Sequence, residues 1–266
     1  MLDHRYVFVG GLHRSGTSLV AQLIGDLPDV AAISDAPVPE NEGVYLQGAI
    51  PHTARHGIPM HFATDPDQHH IEGSRHDRLE VRERIEADWA PHFGAGHWRV
   101  EKSPVNLTRM RLYQQLFPLS QFVVVMRHPE AVAAAVSKWV DAPPAALLDH
   151  WLEAHDIVAK DLPFLHSVLV VRYEDLVADP EATVARLAAF LQVPATGPAR
   201  EIRDGNAAYA GRMRLDDVQA TRAARWGYGP GMAVAPAEPC ARHALRAVVD
   251  AVEAAGRQEA AAIAAQ

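Results

Sequence analysis

One cysteine, Cys240, is the whole thiol content of this 266-residue chain. It excludes an internal disulfide and a cysteine-built metal site, and it points to a reducing, cytoplasmic setting. No apolar run approaches the length of a membrane span, and no basic start leads into the apolar core of an export signal. An excess of positive charge is also missing. Lys and Arg number 25 against 33 Asp and Glu, for a formal net charge of −8. Neutralising phosphates needs a basic footprint, so nucleic acid is not expected as the main partner. What is present is 48% hydrophobic residues, enough for a full core and most simply one α/β domain with insertions. Richness in alanine, arginine and proline points to a GC-rich bacterial genome.

Near the amino end, Tyr6–Val9 is a short apolar run that ends in Gly10 and Gly11. A polar loop with a third glycine, Gly16, follows, and a helical pattern begins at once. Gly11 to Ser18 reads G-x-x-x-x-G-T-S, a phosphate loop with Thr17 where nucleotide hydrolases carry lysine. The basic residue is Arg14, inside the loop. Backbone N–H groups around Ser15 to Ser18 can point at one anion, with the positive end of the next helix behind them. The Thr17 and Ser18 hydroxyls can donate to phosphate oxygens. Without the lysine that reaches a γ-phosphate, ATP is not the expected ligand. The alternative is a glycine-rich turn with no ligand.

Further along, Thr17 to Leu27 has helical spacing and stops before Pro28. From Pro28 to about His70 no period is sustained, which reads as a functional loop or insertion. Arg75 to Trp89 is a charged helix, Trp98 to Lys102 a short strand, and Asn106 to Phe117 a helix. Gln121 to Met126 (QFVVVM) is the continuous run of a parallel strand covered on both faces. Pro129 starts a helix to Trp139, Ala145 to Leu162 is another, and Ser167 to Val171 is a third buried strand. Asp179 caps a helix running to Leu191, and Glu238 to Ala264 closes the chain as a helix. Alternating strands and helices predict a single α/β domain of the phosphate-loop nucleotide-binding type. Its central parallel sheet is flanked by helices, with ligands at the carboxyl ends of the strands.

After QFVVVM, where a nucleotide hydrolase usually places its magnesium aspartate, stand Arg127-His128-Pro129. An arginine at the mouth of a parallel sheet is a fork for a second anion. The alternative is a solvated arginine at a strand end. Two anion sites without a metal carboxylate imply a ligand phosphorylated at two places, and no metal.

The combination GGLHRSGTS, VVVMRHP and VVRYEDLVADPEATVARLAAFL resembles the sulfotransferases that use 3′-phosphoadenosine 5′-phosphosulfate (PAPS). The R-S-G-T loop is similar to that of the bacterial and tyrosylprotein-type branch. The resemblance implies sulfuryl transfer, without a metal, to an acceptor hydroxyl or amine. It implies that Arg14, Ser15, Gly16, Thr17 and Ser18 hold the 5′-phosphosulfate and that Arg127 holds the 3′-phosphate. The family places a serine eight residues past that arginine; here Ala135 stands there, and the nearest serine, Ser137, points to the opposite side of the helix. Either Ser137 substitutes through a shifted helix, or it does nothing for the nucleotide. Tyr173, in Y-E-D-L, is expected to be architectural and near the nucleotide. Arg225 and Trp226 lie in a segment similar to the loop that closes over the adenosine.

Sulfuryl transfer, like phosphoryl transfer, rests on positioning, on cations at the departing phosphate and on one base for the acceptor proton. Arg14 is the first cation. Lys102, in E-K-S-P, resembles the family's catalytic lysine; the alternative is a surface lysine paired with Glu101. For the base, Asp35, Glu40 and Glu42 compete. Asp35 sits where tyrosylprotein-type enzymes place their glutamate, whereas P-E-N-E-G resembles a bacterial P-E-x-E-G motif and favours Glu42 with Glu40 beside it. His52, His56, His61, His69, His70 and His76 crowd one stretch without a compact metal-ligand spacing, so they line a pocket or the surface. His13 lies in the loop itself with no role assigned. Two rival readings are a phosphate-loop kinase, opposed by Thr17 and Arg127, and a non-catalytic nucleotide-binding module, which Ala135 favours. The acceptor, whether small molecule, carbohydrate, lipid or peptide, has no local motif, and the insertion 28–97 is expected to bind it.

Overall fold

The computed structural model describes residues 4–52, 60–236 and 240–255. Its centre is β1 (Arg5–Gly10), which lies between β3 (Trp98–Lys102) and β4 (Gln121–Met126), both parallel to it. β2 (Val30–Ala32) extends the sheet beyond β3, and β5 (Val168–Arg172) lies beyond β4. The two-residue β8 (Ala241–Arg242) closes that side antiparallel to β5, giving the order β2-β3-β1-β4-β5-β8. The small ribbon of β6 (Tyr228–Gly229) and β7 (Ala233–Val234) stands apart. Within the five-stranded parallel sheet, burial on both faces accounts for the unbroken apolar runs of β4 and β5.

Strand alternation divides the core in two. Tyr6, Phe8, Phe122 and Val124 face α3 (Leu79–Trp89), α4 (Met110–Leu116), α5 (Pro129–Val136) and α6 (Pro144–Asp161). Val7, Val9, Val100, Val123 and Val125 face α1 (Thr17–Gly25), α8 (Pro180–Leu191) and α10 (Arg246–Ala255). Asp179 caps α8 by accepting from the Ala182 N–H, and Pro129 occupies the first turn of α5. The short α2 (Gly43–Leu46), α7 (Tyr173–Ala178) and α9 (Asp217–Ala223) complete the list of α-helices among the described residues.

Several sequence expectations change. The closing helix begins at Arg246 rather than Glu238, because Ala241 and Arg242 are spent on pairing with β5. Glu238 and residues 256–264 lie outside the described residues. The charged helix begins at Leu79, not Arg75. The segment expected as one helix from Asn106 to Phe117 is a 3₁₀ turn over Pro104–Thr108 followed by α4. It breaks because the Asn106 amide donates to the Val9 carbonyl and the Glu101 carboxylate, which ties this turn to the sheet. β2 was not expected; at three residues it is too short to show a period.

Candidate functional site

Between β1 and α1 the chain makes the loop Gly11–Gly16, and its backbone leaves no room for substitution at Gly16. That residue has φ +97°, and a Cβ there would lie 3.0 Å from the Tyr173 ring. Tyr173 starts α7 and therefore floors the loop from the end of β5. Ser15 is fully buried, with an Oγ that has no hydrogen-bond partner. A buried hydroxyl without a partner is costly, so its environment is set for an incoming acceptor. Thr17 opens α1 and is buried beside it, and Ser18 Oγ donates to Glu40 Oε2 at 3.4 Å. Arg14 is exposed, with its guanidinium over the Trp139 ring at 4.3 Å. An aromatic floor holds the cation in place without neutralising it.

Arg127, at the end of β4, is drawn into the same place. Its Nη1 donates to the Arg14 carbonyl at 3.1 Å and its Nε to Asn206 Oδ1 at 2.7 Å. Its Nη2 is buried without a partner. The guanidinium lies over the Tyr173 ring at 4.4 Å and near the Tyr209 ring at 5.5 Å. Tyr173 Oη in turn donates to the Arg203 carbonyl and accepts from the Gly205 N–H. The chain around Arg203–Tyr209 is thus the segment that reaches Arg127. Sequence reasoning missed it, because its contacts are set by tertiary packing and it carries no periodic pattern.

Arg225 and Trp226 lie elsewhere. They line a different cavity beside β5, and the Trp226 carbonyl accepts from Arg172. The reason is the turn at Gly227, which leads into Tyr228, whose hydroxyl is fixed on Glu174. Ser137 is exposed, and its hydroxyl donates back to the Ala134 carbonyl of its own helix, 3.0 Å away. Ala135 is fully buried. The two residues after Ser137 do face the loop: Lys138 lies over Tyr209, and Trp139 under Arg14.

A carboxylate–ammonium pair lies nearby. Lys102 ends β3 on the α1 side of the sheet, and its Nζ donates to Glu42 Oε1 at 2.9 Å, both side chains being nearly buried. Burial raises the Glu42 pKa above the ordinary carboxylate value, and the Lys102 charge opposes that rise without cancelling it. Glu101 is not the lysine's partner, because neighbouring residues of a strand point to opposite faces. It is fully buried on the other face and accepts from the Gly43 N–H, from Ser103 Oγ and from Asn106 Nδ2. The Val44 N–H donates to Ser103 Oγ, and Trp89 Nε1 to the Gly43 carbonyl. A Cβ at Gly43 would lie 2.7 Å from Glu101 Oε1, so glycine is required for this anchorage. Glu42 therefore stands on a segment clamped from beneath by the strand that carries Lys102.

A cavity of about 230 Å³ opens between α1 and the chain after β2, lined among others by Ser18, Gln22, Ile33, Glu40 and Lys102. Glu40 and Asp35 are exposed and both have left-handed backbone; Asp35 does not line this cavity. His13 sits between Phe62 and Trp139, with ring centroids 5.8 and 6.5 Å away. Its Nδ1 is buried and unpartnered, and burial with the nearby Lys102 and Arg14 charges pushes its pKa down to about 4. The imidazole is neutral at physiological pH. The other histidines disperse: His69 bonds Asp161, His70 packs edge-on against His76, His61 faces Asp65, and His52 packs against Tyr45. His56 lies outside the described residues. Among the described residues no group of three or more His, Cys, Asp or Glu is arranged to hold a metal ion.

A family model described as the sulfotransferase family matches residues 6–197, which takes in the loop, Glu42, Lys102, Arg127 and Tyr173. This chain belongs to the sulfotransferase family. The enzyme transfers sulfuryl groups. No curated protein matches it. Among solved structures, sulfotransferase STF1 from Mycobacterium tuberculosis H37Rv is similar at TM-score 0.50 and 17% identity, over 72% of this chain and 68% of that one. Sulfotransferase STF9 from Mycobacterium avium matches at TM-score 0.49 and 12% identity, over 85% and 68% of the two chains. The sulfotransferase domain from the Synechococcus PCC 7002 olefin synthase matches at TM-score 0.47 and 17% identity, over 94% and 93%. At such identities the first of these likenesses establishes the fold of the sulfotransferase, and the site must be argued from its own residues.

Proposed function

We propose that the sulfuryl donor is PAPS, bound with its 5′-phosphosulfate in the loop Arg14–Ser18 and its 3′-phosphate at Arg127. The observation that carries this reading is the hydrogen bond from Arg127 Nη1 to the Arg14 carbonyl. It joins two anion receptors, each with an unpartnered buried polar atom, Ser15 Oγ and Arg127 Nη2. A nucleotide with phosphates at two positions satisfies both; a triphosphate chain satisfies only the loop. Tyr173 floors the nucleotide site, and Asn206 and Tyr209 hold the Arg127 fork in plane. Ser137 takes no part, since its hydroxyl is spent on its own helix. Arg225 and Trp226 are left out of the adenosine site for the same geometric reason as above.

The donor supplies a sulfuryl group carried on a good leaving phosphate. Lys102 and Arg14 bring positive charge to the departing oxygen, and Glu42 takes the proton of the acceptor hydroxyl or amine. Glu40 stays a solvated carboxylate at the rim, as does Asp35. Residues 28–97 supply acceptor contacts. The aromatic walls at Phe62 and Trp139 beside neutral His13 suit an acceptor group carried on an apolar body. A cytoplasmic setting agrees with the single cysteine. Among the described residues no helix is long and apolar enough to cross a membrane.

Calorimetric titration tests the donor. Adenosine 3′,5′-bisphosphate should bind without added magnesium at least about ten-fold more tightly than ATP with magnesium, and Arg127→Ala should weaken the bisphosphate more than 5′-AMP. Preference for ATP with magnesium would sink the donor, and equal losses would remove Arg127 from the 3′-phosphate. The base is tested by pH. Glu42 must be ionised to accept a proton, and its pKa is raised above 4.5, so kcat/KM should rise with pH through a limb above the usual carboxylate range. Glu42→Gln should abolish that limb together with most of the activity. A limb retained in the variant assigns the base elsewhere.

A further inference from the structure

At the far edge of the sheet, β8 pairs only with Val168 and Leu169, so among the described residues the carboxyl end of β5 has β4 on its inner side and no strand on its outer side. A cavity of about 250 Å³ fills that space, with Met126, Leu169 and Val170 among its apolar lining and Trp226 on its wall. Three arginines and one carboxylate face it. Arg172 and Asp175 cancel, through paired hydrogen bonds of 2.8 and 2.6 Å. Among the described residues Arg186 and Arg225 form no ion pair, and Arg186 Nε is buried without a partner. Arg225 lies over the Trp226 ring at 5.5 Å. An apolar floor, an indole wall and two uncompensated guanidinium groups make a receptor for a flat ring bearing one negative charge. The cavity shares no lining residue with the phosphate loop or with the cavity lined by Glu40 and Lys102.

We infer that this cavity is a second ligand site, separate from the transfer centre, for a small aryl monoanion of the sulfate-ester or carboxylate type. Arg186 and Arg225 hold the anion and Trp226 holds the ring. A sulfate ester would be a product of sulfuryl transfer acting back on the enzyme, and a carboxylate a metabolite independent of it.

The full chain is titrated with 2-naphthyl sulfate, 2-naphthoate and uncharged 2-naphthol, by calorimetry and by tryptophan fluorescence. One equivalent of each anion should bind, with 2-naphthol at least about ten-fold weaker. The stronger of the two anions names the source. An excess of adenosine 3′,5′-bisphosphate should leave the binding unchanged. Arg186→Gln and Arg225→Gln should each weaken it by about ten-fold or more, with the thermal midpoint showing that both variants are folded. Cys240, the chain's one cysteine, also lines the cavity, so either anion should slow its alkylation by N-ethylmaleimide. The assignment falls if no anion saturates, if bisphosphate displaces the anion, if 2-naphthol binds equally well, if both variants bind like the parent, or if Cys240 alkylates at the same rate.

Discussion

Lys102→Ala is expected to lower turnover by about two to three orders of magnitude while bisphosphate affinity stays within about three-fold. The lysine stands at the end of β3, held by Glu42 and not by the phosphate loop. On the proposed mechanism its removal takes a cation from the step in which charge moves to the departing oxygen, while the Arg14 loop and the Arg127 fork proposed to bind the nucleotide are left in place. The substitution also leaves Glu42 buried without its counter-ion, which raises that carboxyl's pKa further. The variant's residual activity should therefore rise with pH over a higher range than the parent's. Lys102→Arg should recover little, because a planar fork does not fit the point contact with Glu42 Oε1. Single-turnover rates beside calorimetric affinities decide it. Turnover within about three-fold of the parent would remove Lys102 from the chemistry.

Glu101→Ala should cost about 3 kcal/mol of folding stability, because it strands the Gly43 N–H, the Ser103 hydroxyl and the Asn106 amide in a dry interior. For a chain of this size that corresponds to a fall of roughly 6–10 °C in the unfolding midpoint. Activity should fall as well, since Gly43 adjoins Glu42. Glu101→Gln is the informative control. Its oxygen can still accept from Gly43 and Ser103, but its amino group faces the Asn106 amide, donor against donor. About half of the loss is expected there. If the alanine variant melts within 2 °C of the parent, roughly the error on such a small stability change, the carboxylate does not hold this segment.

The parts of the molecule that sequence describes well are those fixed by local covalent logic. The run QFVVVM reads as a strand buried on both faces because every position is apolar, and it is one. Asp179 before Pro180 announces a helix start, and its carboxylate caps that helix. Lys102 and Glu101 could have been separated by alternation alone. What is illegible depends on partners distant in the chain. Glu42 is anchored through Glu101, Trp89 and Ser103, none of which its neighbours hint at. Asn206 reaches Arg127 only because Tyr173 holds the chain at Arg203 and Gly205. The closing helix starts later than composition suggests, because Ala241 and Arg242 suit a helix by composition and a sheet edge claims them instead.

The central position of β1 has a consequence for biosynthesis. Its two neighbours in the sheet, β3 and β4, are encoded far downstream. A ribosome adding roughly 5–20 residues per second takes roughly 6–22 s between finishing Gly10 and beginning Gln121. Until β3 is made β1 has no sheet partner on either side, and until β4 is made it has at most one. The loop Gly11–Gly16 is made well before it can acquire its shape, since Arg127 and Tyr173 arrive still later. Yield on overproduction should accordingly depend on how well chaperones shield Tyr6–Val9 during that wait.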